Sequence, residues 1–169
     1  MSEAEQLAAL ARLHDLLAER GIEYWLFGGW AVDFHAGSVT RAHADLDIAV
    51  WLRDQDRIEG LLAADGWKHA PVDSEDGYKG YARGAVRLEL AFLERGALAR
   101  VYTSLRHGRA AWPPQTFEDD VAELHGVRAR IISLAALKAE KSETRDDPFV
   151  AAKDRADSTT LAGLGEARR

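Results

Sequence analysis

The stretch Ile22-Glu23-Tyr24-Trp25-Leu26-Phe27-Gly28-Gly29, followed by Asp45-Leu46-Asp47-Ile48-Ala49-Val50-Trp51, decides how this chain is read. The first six residues are a short apolar run closed by a glycine pair, as a buried strand is closed by a turn. Glycine has no Cβ, so a polyphosphate can lie against the peptide N–H groups of Gly28 and Gly29. A helix expected to begin near Trp30 would aim its positive end at that anion. The second run alternates. Side chains on a strand switch faces at every residue, so Asp45 and Asp47 share one face while Leu46, Ile48 and Val50 occupy the other. Two carboxylates side by side suit a hard divalent cation such as Mg²⁺, which takes carboxylate oxygens, waters and substrate phosphates as ligands.

A third acid follows the same parity. In Val86-Arg87-Leu88-Glu89-Leu90-Ala91-Phe92-Leu93 the apolar positions 86, 88, 90 and 92 alternate with 87, 89 and 91, so Glu89 points away from the core face of its strand. If that strand lies beside the aspartate strand, Glu89 joins Asp45 and Asp47. Such a trio would hold two Mg²⁺ ions, or one with Glu89 free as a base, and help deprotonate an incoming hydroxyl. Without metal the three would repel one another. Taken singly, paired acids at a strand face and a glycine pair at a turn are common; strand, turn, helix and strand in order make the pattern specific.

The run Gly28-Gly29-Trp30-Ala31-Val32-Asp33, then Thr40-Arg41-Ala42-His43-Ala44-Asp45-Leu46-Asp47-Ile48, resembles the antibiotic-modifying branch of the nucleotidyltransferase superfamily. Within that branch it is similar to aminoglycoside 2''-adenylyltransferase-like proteins and to the small lincosamide nucleotidyltransferases. The resemblance implies Mg²⁺ ligation by Asp45, Asp47 and Glu89. It also implies transfer of a nucleoside monophosphate, AMP from ATP or another NTP, to a hydroxyl of a small-molecule acceptor such as an aminoglycoside or lincosamide. Two departures stand out: Trp30 follows the glycine pair where much of the superfamily has serine, and the third acid is Glu89 where aspartate is common. A rival reading keeps the same acids but makes the chain an antitoxin-type minimal nucleotidyltransferase acting on a partner protein; another makes it a module that holds NTP without turnover.

Other residues are candidates beside the acids. Arg41 and His43, in the loop entering the acid strand, could touch nucleotide phosphates or form a loop salt bridge. Asp33 could orient Arg41. Lys153, and less so Lys138, could neutralise phosphate charge from the C-terminal helices. With Gly28, Gly29 and Trp30, the residues Arg41, His43 and Lys153 make up the expected nucleotide contacts. Trp112-Pro113-Pro114 is a stiff loop whose indole closes a core edge or flanks a ligand. The acidic segments Asp73-Ser74-Glu75-Asp76 and Glu118-Asp119-Asp120 are either solvated tips or attractors of a cationic acceptor.

Composition bounds the rest. The 169 residues suffice for one domain, and 22 Lys+Arg against 28 Asp+Glu give a net charge of -6 with no basic stripe, so nucleic acid is not an expected partner. Cysteine is absent, which excludes disulfides and thiolate metal sites. No segment reads as a signal peptide or a membrane span, and a cytoplasmic enzyme is expected. A homodimer that shares the acceptor pocket is compatible with the small size. The remaining pattern predicts a helix after a capping box at Ser2 and Glu5, with Leu7, Leu10, Leu13 and Leu17 as its stripe and Gly21 as its stop. It predicts a second helix over Arg53 to Ala64, strands at Trp67 to Val72, Tyr78 to Arg83, Val86 to Leu93 and Val127 to Ile132, and helices from Ser133 to Lys141 and Phe149 to Leu161. The expectation is an α/β (α+β) nucleotidyltransferase fold: a mixed sheet with helices packed on one side, residues 1–132 as the core and 133–169 as C-terminal helices on the same single domain.

Overall fold

The capping box predicted at the N-terminus is formed in the computed structural model: the Glu5 amide donates to Ser2 Oγ and the Ser2 amide donates to the Glu5 carboxylate at 2.7 Å. It opens α1 (Glu3–Glu19), whose leucines Leu7, Leu10, Leu13 and Leu17 are all buried. The structure describes residues 2–72, 77–118, 121–142 and 148–166; the acidic segment 73–76 and the acids Asp119 and Asp120 lie outside them. After α1 come β1 (Tyr24–Phe27), α2 (Gly28–Ala36), β2 (Leu46–Trp51), α3 (Gln55–Ala64), β3 (Lys68–Ala70), β4 (Tyr78–Arg83) and β5 (Val86–Arg95). Then follow β6 (Val101–Leu105), β7 (Gly108–Ala111), β8 (Val121–Leu124), β9 (Val127–Arg130), α4 (Leu134–Ser142) and α5 (Pro148–Glu166).

The strands lie in the order β1-β2-β5-β4-β3, with β6 and β7 continuing from the end of β5. The pairing of β2 with β5 is parallel; β1–β2, β5–β4 and β4–β3 are antiparallel. The parallel pair needs a long crossover, and α3, β3 and β4 supply it. Because β2 and β5 are central, both of their faces are covered. On one face Leu46, Ile48 and Val50 of β2 and Leu88, Leu90 and Phe92 of β5 pack with the α1 leucines and with Ile58 and Leu62 of α3. On the other, Ala49, Trp51, Ala91 and Leu93 pack with Trp25, with Leu137 of α4 and with Leu161 of α5. The expected one-sided helix packing therefore describes α1 and α3, while α4 and α5 meet the opposite face. That face is apolar only at one end; at the other it carries Asp47 and Glu89.

Several boundaries differ from the sequence-based expectation. The second helix of the chain starts at Gly28 rather than near Trp30, because Gly28 itself adopts a left-handed φ of 67° that turns the strand directly into the helix. The segment Val127 to Ile132 yields only β9, which pairs with β8 in a separate two-stranded sheet docked on β1 through a bridge from Ile131 to Leu26. The hairpin β6–β7 and strand β8 were not expected from the sequence, since Gly108-Arg109-Ala110-Ala111 holds no β-branched or aromatic residue. Ser133 caps α4 as expected, its hydroxyl accepting from the Ala136 amide at 3.3 Å. No helix among the described residues is long and apolar enough to cross a membrane.

The position of Leu90 gives a direct check on this core. It is 2% exposed on the α1/α3 face of β5, so Leu90→Ala is expected to lower unfolding free energy by about 2–5 kcal/mol in urea titrations. A loss below about 1 kcal/mol would mean that the face is not packed as described.

Candidate active site

The register of the parallel pair places Asp47 of β2 directly beside Glu89 of β5. Asp45 precedes β2 by one residue on the same side of the chain, and β1 contributes Phe27, the partner of Asp47 on its other flank. These residues open into a cavity of about 620 Å³ lined also by Gly28, Gly29 and the C-terminal helices. Gly28 is packed so closely on Asp47 that a Cβ there would lie 3.0 Å from the carboxyl carbon and closer still to an oxygen. At Gly29 a Cβ would fall on the Arg41 and His43 side chains. The glycines are thus required by the site's own side chains as well as by any phosphate that approaches the first turn of α2.

The acids repel one another. Burial, and after it the charges of Asp45 and Glu89, push the Asp47 carboxyl well above its ordinary range; Glu140 adds to this and Lys141 opposes it. Added positive charge beside Asp47 would relieve this repulsion. Among the described residues, no three acids or histidines converge as a ready-made metal cage. Carboxylates such as Asp45 and Asp47, with further positions left to water and substrate, would suit Mg²⁺.

The loop before β2 is organised by a hydrogen-bonded chain that ends in an ion pair, the loop salt bridge being one of the two readings open for Arg41 and His43. Asp33, fully buried on α2, was expected to orient Arg41. It accepts instead from the Thr40 amide at 3.1 Å, from the Thr40 hydroxyl at 2.5 Å and from His43 Nε2 at 2.5 Å. Arg41 Nη1 donates to His43 Nδ1 at 3.1 Å, and a guanidinium can only donate, so Nδ1 is the acceptor and Nε2 carries the proton. The rest of the Arg41 guanidinium grips Asp157 of α5 in a two-point pair of 2.8 and 2.9 Å. Burial alone would push Asp157 up, but Arg41 and Lys141 together hold it below the usual carboxylate range, and Arg41 is raised in turn.

Lys141 closes this network from α4. Its ammonium lies 3.2 Å from Asp154, 3.3 Å from Glu140 and 3.4 Å from Asp157. Burial works against its charge, but the three carboxylates outweigh burial and raise its pKa. It lines the cavity, as does the exposed Lys153, whereas Lys138 does not. The sequence did carry a signal for the C-terminal part of this site: Asp154, Asp157 and Leu161 fall on one helical face, so two carboxylates share the side that Leu161 commits to the core. Trp30, expected among the nucleotide contacts, is 1% exposed in the core with its ring stacked on His43 at 4.6 Å, so only its backbone faces the first turn of α2. Trp112 packs edge-on against Phe27 and Phe117, closing a core edge, and lines the cavity as well.

The raised Asp47 carboxyl has a consequence for metal-free stability. A carboxyl whose folded pKa lies above its unfolded value of about 3.9 favours the folded state at low pH, and that contribution is lost as pH rises through the folded pKa. Asp47→Asn removes the penalty, so the metal-free variant is expected to melt at least about 2 °C above wild type at pH 7.5, with the gap narrowing towards pH 4. Equal melting curves at both pH values would refute the strain.

Comparison with known proteins fits this geometry. The family model for aminoglycoside-2''-adenylyltransferases matches residues 9–159. Among curated relatives, 2''-aminoglycoside nucleotidyltransferases from Klebsiella pneumoniae and Escherichia coli are 46% identical over 39 residues. That segment spans 21% of this chain and 22% of each relative. The lincomycin-bound structure of the lincosamide antibiotic adenylyltransferase LnuA superposes with a TM-score of 0.72 at 19% identity, covering 97% of this chain and 98% of the other. The complex of ANT(2'')-Ia with adenylyl-2''-tobramycin gives 0.69 at 18% identity, covering 98% and 99%. The fold is shared with both, and the family match spans almost the whole chain: this protein belongs to the aminoglycoside-2''-adenylyltransferase family.

Proposed function

We propose that the chain transfers AMP from ATP to a hydroxyl of an aminoglycoside-class acceptor, releasing pyrophosphate. The observation that carries this reading is the pairing of Asp47 with Glu89 at the first turn of α2, in a cavity walled on the far side by cations and acids of α4 and α5. Asp45 and Asp47 are the residues that would hold Mg²⁺, which when bound would neutralise the polyphosphate and stabilise charge on the reacting phosphoryl group. Gly28, Gly29 and the Trp30 backbone offer unpaired N–H groups at a helix start to the phosphates. Lys141 and Lys153 face the same cavity as point charges for the leaving pyrophosphate. Glu89 would accept the proton of the acceptor hydroxyl as its oxygen attacks the α-phosphorus.

Arg41 is bonded to Asp157 and His43 to Asp33, so their part is to fix the loop and back the glycine turn rather than to serve as loose phosphate ligands. Glu140 and Asp154 line the cavity beyond Lys141 and give its outer part a negative character that suits a polyamine. The family match supports the same acceptor class. An ATP-dependent reaction of this kind suits the cytoplasm, where the nucleotide is abundant.

Purified protein incubated with ATP, Mg²⁺ and a panel of aminoglycosides and lincosamides is expected to yield an AMP adduct on an aminoglycoside by mass spectrometry. Asp47→Ala should reduce the rate by about 10³-fold or more. An adduct only on lincosamides would reassign the acceptor, and no adduct at all would sink the reading. In steady-state kinetics, Lys141→Met is expected to raise KM for ATP by about tenfold while leaving KM for the acceptor within a factor of about two. The reverse pattern would place Lys141 on the acceptor side.

A further inference from the structure

A second cavity, of about 540 Å³, lies at the opposite end of β1 and β2 from the acids, and the transfer reaction makes no use of it. Its floor is aromatic. Trp51 meets Trp25 edge-on at 6.0 Å, and Trp25 meets Phe117 at 5.0 Å. The indole N–H groups are already satisfied: Trp51 donates to Glu23, Trp25 to the Glu118 carbonyl and Trp112 to Thr103. Trp25 and Trp51 are 2% and 5% exposed and the Trp51 ring carries Arg53 at 5.3 Å and Arg95 at 5.0 Å, so what this floor offers a ligand is ring edges and the half-buried Phe117.

The charge around it is positive in a chain whose net charge is -6. Arg95 stands 5.0 Å over the Trp51 ring and Arg100 lines the rim; neither is held in an ion pair among the described residues. Among the described residues the one lining carboxylate, Glu23, is occupied by the Trp51 indole and by Arg53.

The backbone supplies an independent observation. Among the described residues only four non-glycine positions have positive φ, and three of them line this cavity: Leu98 at 55°, Ala99 at 58° and Gln115 at 60°. They come from two separate loops, 96–100 and 112–117, the second stiffened by Pro113 and Pro114. Left-handed backbone at a residue with a Cβ is costly and tends to gather at ligand clamps. Here it holds Leu98 at the rim with 91% of its surface exposed, the most exposed large apolar residue described.

We propose that this cavity is a second ligand site, distinct from the acid cluster, for a small planar aromatic acid: the ring lies against Phe117 and the edge of Trp51 beneath Leu98, and the acid group meets Arg95 and Arg100. Ring stacking supplies shape selection, and the two guanidinium groups, planar donors that match a carboxylate, supply charge selection. The site shares the Trp112-Pro113 wall with the reaction cavity, so its occupant would bear on the acceptor side of that wall. The proposal does not rest on the transfer reaction.

The probe is 2-naphthoate, with neutral 2-naphthamide as its control, titrated into ¹⁵N-labelled full-length protein. The indole N–H signals of Trp25, Trp51 and Trp112 are expected to shift and saturate with 2-naphthoate, while those of Trp30 and Trp67, buried elsewhere, stay in place. Arg95→Gln and Arg100→Gln, both on exposed side chains, should each weaken binding about five- to tenfold. Asp47→Ala should leave binding unchanged, which separates a failure here from a failure of the transfer reading. Absence of saturable shifts, equal binding of the amide, or displacement of 2-naphthoate by tobramycin would overturn the proposal, the last by making the cleft part of the acceptor site. So would indole shifts that follow protein concentration alone, since a second copy would then be the occupant.

Discussion

Everything at the reaction cavity depends on one strand pairing. The parallel alignment of β2 with β5 brings Asp47 level with Glu89, and a slip of one residue would turn one of them into the leucine-rich core. Register is strongly held because the α1/α3 face of both strands is built only from large apolar side chains. The same alternation that buries Leu46, Ile48, Leu88 and Leu90 forces the acids outward. Stability and chemistry are therefore two readings of one period-two pattern, and the energy of the core is what keeps mutually repelling carboxylates together.

The acid face is not a solvent face. Beyond Asp47 and Glu89 it becomes Ala49, Ala91, Trp51 and Leu93, closed by aromatic residues and by α4 and α5. Those helices bring the Lys141 charge to the acids of β2 and β5. Arg41 reaches from the loop before β2 to Asp157, and Lys141 joins the same carboxylate, so the C-terminal helices are tied to the acid strand by charge as well as by Leu137 and Leu161. A largely buried network of this kind is costly to break because any member left alone would be an unpaired charge. It fixes the Arg41 and Lys141 charges in the lining of the cavity.

What the sequence made legible was local. The glycine turn, the alternating acids, the parity of Glu89, the capping box of α1 and the Ser133 cap of α4 follow from near neighbours along the chain. The pairing of β2 with β5 could be posed only as a condition, because strand order is decided by packing across residues far apart in sequence. Asp33 was matched to the wrong partner for the same reason: Arg41 and His43 are both within reach of it by sequence, and the presence of Asp157 from α5 decides between them. Lys141 gave no local sign, since one lysine on an amphipathic helix reads like any other. Trp30 was misplaced because it adjoins the glycines, and adjacency in sequence is not adjacency in a helix, where the next residue points some 100° away.

A crystal structure of the protein with Mg²⁺ and a non-hydrolysable ATP analogue tests the central claim most directly. The account predicts the metal on Asp45 and Asp47, the phosphates against the first turn of α2, and Lys141 moved from its carboxylates towards them. Nucleotide bound away from the Asp47–Glu89 pair, or bound there with no metal contact to either aspartate, would contradict it.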